Sequence, residues 1–125
     1  MTPPGVRMDV SEEPGDRVIA TLYAELGIDF ADQVCDVLTA AIPFGRPALF
    51  LDLRDVEFLD MAGARVLYRS HLLAQWRGGR LVLVSPQPTI RQTIGLLGLT
   101  DIPITDDRSV LGELGDLDEA APDGG

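Results

Sequence analysis

Apolar and polar residues alternate over Val6-Arg7-Met8-Asp9-Val10, and a longer apolar-rich run extends from Arg17 to Leu26. Glu12-Glu13-Pro14-Gly15-Asp16 separates the two. A Pro-Gly pair between extended runs marks a turn, so the chain opens with a β-hairpin. The period then changes. Phe30, Val34, Val37, Leu38, Ala41 and Ile42 recur at the spacing of one helix face, which predicts a helix from Phe30 to about Ile42, capped by Asp29 and stopped by Pro43. Ala48-Leu49-Phe50-Leu51 and Leu81-Val82-Leu83-Val84 are continuous apolar runs bounded by turn residues. Such runs suit interior parallel strands buried on both faces.

Between those strands Asp60 stands where a helix N-cap belongs. Gly63, Val66, Leu67, Ser70, Leu73 and Ala74 then form one stripe that lasts to about Arg77, before Gly78-Gly79. A third helix starts near Pro88 or Thr89 and ends at Gly98, where glycine suits the left-handed residue after a helix and Leu99 folds back. Ile102 to Thr105 predicts a short last strand, and Val110 to Leu114 a short helix. Alternating strands and helices with short connections make an α/β domain with right-handed crossovers.

Composition narrows the picture. The chain has 125 residues, 46% of them hydrophobic and 24% charged, the size of one domain with its own core. Its single cysteine, Cys35, forms no disulfide within the chain and no cysteine-based metal site. The ten basic residues are all arginine, against twenty acids, for a net charge of -10. Without lysine there is no Schiff base and no lysine contact to phosphate. The negative charge also disfavours nucleic acid and anionic membranes. Residues 106–125 hold seven of the acids and one arginine, the composition of a solvated, disordered tail. No uncharged apolar run has the length of a membrane span, and Met1-Thr2-Pro3-Pro4-Gly5 lacks the features of a signal peptide. A cytoplasmic protein is expected.

Catalytic chemistry finds little support. His71 is the only histidine and lies mid-helix, where a surface or half-buried structural residue is expected. Cys35 has no activating partner nearby in sequence. Gly78-Gly79, Gly95 and Gly98 lack the spacing and lysine of a phosphate loop. Leu49 to Arg54, with Asp52 ending a buried strand, looks like the phosphoacceptor strand of a response-regulator receiver. A receiver also needs an acidic pair ending a buried first strand that leads into a helix, whereas this N-terminus reads as a hairpin, and a lysine, of which the chain has none. No catalytic residue, cofactor or metal is expected.

The run from Leu49-Phe50-Leu51-Asp52-Leu53 through Val56-Glu57-Phe58-Leu59-Asp60-Met61-Ala62-Gly63 and Val66-Leu67 to Gly78-Gly79-Arg80-Leu81-Val82-Leu83-Val84 resembles the STAS domain of bacterial anti-sigma-factor antagonists. That family has a strand ending in Asp-Leu, a Val-x-Phe-hydrophobic-Asp turn, a Ser-Ser-Gly-like triplet opening a helix, a Gly-Gly turn and a hydrophobic strand. Pro88 to Leu99 is similar to its third helix, which also ends in Gly-Leu. The resemblance spans about residues 6 to 114. It implies a mixed, mainly parallel sheet with an N-terminal hairpin and helices mostly on one face. Residues 1–5 are then a flexible N-terminus, 6–114 the domain and 115–125 an acidic, disordered tail.

The resemblance also implies a non-catalytic module that binds a kinase-type anti-sigma factor or related regulator and so modulates sigma-factor-dependent transcription. In switchable members the second serine of the triplet is phosphorylated, which adds about -1.5 to -2 charge. Here Asp60 and Gly63 match, whereas Met61 and Ala62 stand at the two hydroxyl positions, so no phosphorylation is expected at Ala62. Ala24-Glu25-Leu26-Gly27 keeps only the Glu-Leu of the family's Gly-Glu-Leu-Asp segment. The candidate partner surface comprises Asp60, Met61, Ala62, Gly63, Ala64, Tyr68 and Leu72, with Trp76 at its far end. The apolar members fall off the core stripe, where they fit either partner anchors or packing beneath a neighbouring helix. Asp60 fits either an N-cap or a partner contact. Two alternatives stay open: an accessory STAS subunit of a lipid-trafficking ABC transporter, and a STAS module binding a nucleotide or small hydrophobic ligand.

Overall fold

A computed structural model describes residues 6–13, 17–42 and 48–111 of the chain. Strands β1 (Val6–Glu13), β2 (Arg17–Ala24), β3 (Ala48–Asp52), β4 (Arg80–Val84) and β5 (Ile104–Thr105) form one sheet in the order β1-β2-β3-β4-β5. β1 pairs antiparallel with β2, Val6 opposite Ala24 and Glu13 opposite Arg17. The pairs from β2 to β5 are all parallel. Helices α1 (Ala31–Ala41), α2 (Met61–Trp76) and α3 (Pro88–Leu96) alternate with the parallel strands, and a 3-10 turn follows over Arg108–Leu111. The fold is thus the α/β, mainly parallel arrangement expected from the pattern. The Pro14-Gly15-Asp16 turn, the Pro43 stop and the two proposed chain ends lie outside the described residues.

The pleat explains why the interior strands read as unbroken apolar runs. Val18, Ala20, Leu22, Leu49, Leu51, Leu81 and Leu83 share one cluster with Val34 and Leu38 of α1, Val66 and Leu67 of α2, and Ile90 and Ile94 of α3. All three helices therefore cover one face. The alternate residues Ile19, Phe50, Val82 and Val84 point the other way and form a second cluster with Leu111, edged by Ala48 and Val110. A strand with a core on each side has no solvent face on which polar residues would be favoured.

That second core is fastened by charge. Arg108 Nη2 donates to Asp52 Oδ2 at 3.0 Å and Nη1 to Oδ1 at 3.4 Å, while the Arg54 amide donates to Oδ1 at 3.0 Å. Asp52 is 2% exposed and the Arg108 side chain 11%. Arg17 Nη1 adds a 2.9 Å bond to the Val110 carbonyl, so the 3-10 turn is tied to both β2 and β3.

Three expectations are corrected. Asp29 does not cap α1: Phe30 is the N-cap residue and no side chain bonds to the helix start. The Phe30 amide donates to the Gly27 carbonyl at 3.1 Å, which closes a turn over 27–30 and leaves Asp29 exposed on it. The last strand is confined to Ile104–Thr105, because the Ile102 amide turns back to the Leu99 carbonyl at 3.4 Å in place of joining the ladder. The helix expected over Val110 to Leu114 is a 3-10 turn over Arg108–Leu111, with residues 112–114 outside the described part. The end of α3 does follow expectation. Gly98 has φ +77, and the Leu99 amide folds back onto the Ile94 carbonyl at 3.1 Å.

Removal of one partner from a buried ion pair costs about 3 kcal/mol or more, whereas replacing both with apolar groups costs far less. Asp52→Ala should therefore lower stability by about 3 kcal/mol, and the double change Asp52→Leu with Arg108→Met by clearly less. Urea unfolding midpoints of the parent and the two variants check this.

Candidate partner-binding site

The first turn of α2 is built around Asp60. Its backbone is extended, as an N-cap requires, and Oδ1 accepts the Gly63 amide at 3.1 Å. Oδ2 accepts the Ile28 amide at 3.1 Å, so one carboxylate joins the start of α2 to the segment between β2 and α1. The backbone repeats the connection: the Asp60 amide donates to the Leu26 carbonyl at 3.0 Å, and the Leu26 amide to the Phe58 carbonyl at 2.9 Å. Gly63 completes the corner by absence. A Cβ there would stand 1.9 Å from the Leu26 oxygen, inside any permissible contact, so only glycine lets the helix approach this closely. The Gly63 amide holds the Asp60 carboxyl below its usual value of 3.8; the Ile28 amide adds to this and desolvation opposes it.

Around this corner the surface is apolar. Met61 is 57% exposed, and Ile28 (77%) and Phe58 (46%) flank it. Ala62 is half-buried. Tyr68, Leu72 and Trp76 continue outward along α2. Ala64 does not belong with them: expected on the outward side, it is 2% exposed and part of the core. His71, expected at the surface or half-buried, is also buried. The two lie seven residues apart and so share one side of the helix. Ala64 lines a groove of about 310 Å³ toward α3, with Met61, Arg65, Tyr68, Arg69, Leu97 and Leu99. The buried arc of α2 is therefore wider than its periodic stripe. The His71 ring lies 6.0 Å from that of Tyr68, centroid to centroid, and its Nδ1 has no hydrogen-bond partner among the described residues.

On the other side of α2 a second groove of about 430 Å³ runs beside α1, lined by Cys35, Thr39, Arg69, Leu72, Leu73 and Trp76, among others. Arg77 closes that end by donating to the carbonyls of Thr39 and Ile42. Among the described residues no group of three or more His, Cys, Asp and Glu side chains is placed to hold a metal ion. None of the described helices is long and apolar enough to cross a membrane.

Reading from sequence brought Asp60, Met61, Ala62 and Gly63 to one corner, which is where the fold puts them. It missed Ile28 and Phe58. Neither belongs to a periodic face, since both lie in connecting segments. The one available signal was position: Ile28 immediately precedes Asp29 and Phe58 stands two residues before Asp60, each just ahead of a predicted cap.

The STAS domain family matches residues 7–110 of the chain. The chain belongs to the STAS family. Its fold is that of an anti-sigma factor antagonist from Mycobacterium paratuberculosis, with 23% identity over 89% of this chain and 97% of that one and a TM-score of 0.71. It is also that of the Bacillus anti-sigma factor antagonist SpoIIAA in its unphosphorylated form, with 18% identity over 86% and 96% of the two chains and a TM-score of 0.66. The murine anion transporter Slc26a9 shares the fold as well, at 20% identity over 73% of this chain and 15% of that one, with a TM-score of 0.64. Comparison with curated proteins gives no match.

Two outcomes test the corner as a structural element of this STAS domain. Gly63→Ala forces α2 away from Leu26 and should cost more than about 3 kcal/mol, at the upper end for overpacking. For Asp60 the native pKa is lowered, so its carboxylate contributes fully above the unfolded value and the contribution is lost as pH falls through the native one. The stability gap between the parent and Asp60→Asn should be widest at about pH 7 and should narrow toward about pH 3, as read by urea midpoints at the two values.

Proposed function

We propose that this STAS domain is a non-catalytic binding module that docks a kinase-type anti-sigma factor, or a related regulator, through the Asp60 to Gly63 corner and the outward face of α2. Docking there modulates sigma-factor-dependent transcription in the cytoplasm. The observation that carries this reading is Met61: a large apolar side chain, 57% exposed, held at the tip of a corner that hydrogen bonds and a glycine contact make rigid. A rigid exposed anchor binds without first being ordered. The likeness of the fold to anti-sigma factor antagonists supports the choice of partner class.

The same corner lacks a hydroxyl at Met61 and Ala62, so the module binds constitutively with respect to serine phosphorylation at the helix start. Its control lies in abundance or in another subunit. Elsewhere on α2 the only hydroxyl besides Tyr68 is Ser70, which is 3% exposed. A second reading, an accessory STAS subunit of a transporter such as a lipid-trafficking ABC system, draws on the likeness to Slc26a9.

Affinity purification from the native cell, with parent and Met61→Glu as baits, tests the site. A carboxylate desolvated in an interface costs several kcal/mol, so the mutant should lose the anti-sigma factor that the parent retains. Calorimetry with that protein should show at least about a tenfold weaker Kd. Folding should be preserved, because an acid is favourable in a helix's first turn. Equal retention by both baits defeats the site, and retention of an ATPase subunit by the parent selects the transporter reading.

Regulation is tested by Ala62→Ser. Incubated with the purified kinase-type partner and ATP, the parent should keep its intact mass while Ala62→Ser gains a phosphoryl group. Phosphate on the parent, with loss of partner binding, would place the switch elsewhere.

A further inference from the structure

We propose that the groove between α2 and α3 takes an acidic amphipathic helix of the partner protein, its apolar side chains seated on Tyr68, Leu97 and Leu99 and its carboxylates on Arg65 and Arg69. This rests on the partner-binding reading and gives the partner's docking element a chemistry.

Charge points to the occupant. The chain carries twenty acids and ten arginines, yet α2 and α3 hold no Asp or Glu between them and carry Arg65, Arg69 and Arg91. Arg91 is engaged with Asp106. Arg65 and Arg69 are exposed and both border the groove. The face is thus cationic on a molecule that is otherwise strongly anionic, and along α2 the groove is lined from Met61 to Arg69, about 12 Å of helix. A volume of about 310 Å³ is at the floor of the range for small-molecule sites. It suits a row of aliphatic anchors from a helix laid along a groove.

Other occupants fit less well. A second copy placed face to face would set Arg65 and Arg69 against their own kind. The net charge of -10 repels an anionic bilayer. The chain's own acidic tail departs from Leu111, which packs on the opposite face of the sheet.

The test uses two fluorescein-labelled peptides of about four helical turns, identical in their leucine stripe and differing in flanking glutamates or lysines, titrated against the full chain by anisotropy. The glutamate peptide should bind at least about tenfold more tightly than the lysine peptide, and more weakly as salt is raised. Arg65→Glu combined with Arg69→Glu should invert that preference, and Tyr68→Ala should weaken both peptides, with circular dichroism confirming that each variant is folded. Equal binding of the two peptides, or a preference that survives the arginine reversal, overturns the proposal. So does salt-sensitive binding to phosphatidylserine vesicles in place of the peptide. A full-length variant with Glu113, Asp116, Asp118 and Glu119 changed to amides supplies a last arm. If it binds the glutamate peptide about tenfold more tightly than the parent, the tail is the occupant and the proposal fails. The peptide titration and the affinity purification are separate readouts: a parent that retains the anti-sigma factor but shows no peptide preference defeats this proposal alone, whereas a parent that retains no such factor defeats the partner reading.

Discussion

The contact between Gly63 and the Leu26 carbonyl governs where everything on the helical face can be. A parallel sheet sets its strands about 4.8 Å apart, but it does not say how the helices above them are aligned along their own axes. That alignment is fixed at one point, where the first turn of α2 touches the chain leaving β2. Two amides share the Asp60 carboxylate, and two backbone bonds run alongside. The polar groups that a helix start and a strand end each leave unsatisfied are thereby satisfied by one another. The corner is rigid because these bonds come from both segments; loss of any one leaves the others in register.

From that anchor the surface chemistry follows. With α2 held at its N-terminus and Arg77 bonded to the last carbonyls of α1 at the other end, the helix has no freedom to roll. Its exposed line of Met61, Tyr68, Leu72 and Trp76 is therefore a fixed feature. Rolling the helix to bury those groups would turn Val66, Leu67 and Ala74 out of the core, with no net gain in buried apolar area. The exposed apolar residues are thus consistent with a stable fold.

Much of this was legible in the chain before folding. The continuous runs at 48–51 and 81–84 suit interior strands, and Asp60 marked a helix start by cap chemistry, with Gly63 entering through the stripe and the family resemblance. What stayed hidden was tertiary. Asp29 has the right residue type for a cap, but a turn closed by the Gly27 carbonyl claims its position first. His71 and Ala64 lie off the periodic stripe, and their burial is set by tertiary packing that no local spacing records. The Asp52–Arg108 pair joins residues far apart in sequence. The arginine sits in a charged segment that reads as solvated, and nothing local distinguishes it from Arg54 or Arg80.

That pair also makes one face of the sheet depend on the last described residues. The main core draws on residues up to Ile102, with Ile104 packed at its edge. On the opposite face Ile19, Phe50 and Val82 cluster with Leu111, and Asp52 is held by Arg108. A chain cut before Arg108 would keep every residue of the main core yet bare an apolar sheet face and leave a buried aspartate without its guanidinium. The two cores are therefore unequal: one is closed by three helices, the other by a single short turn near the end of the domain.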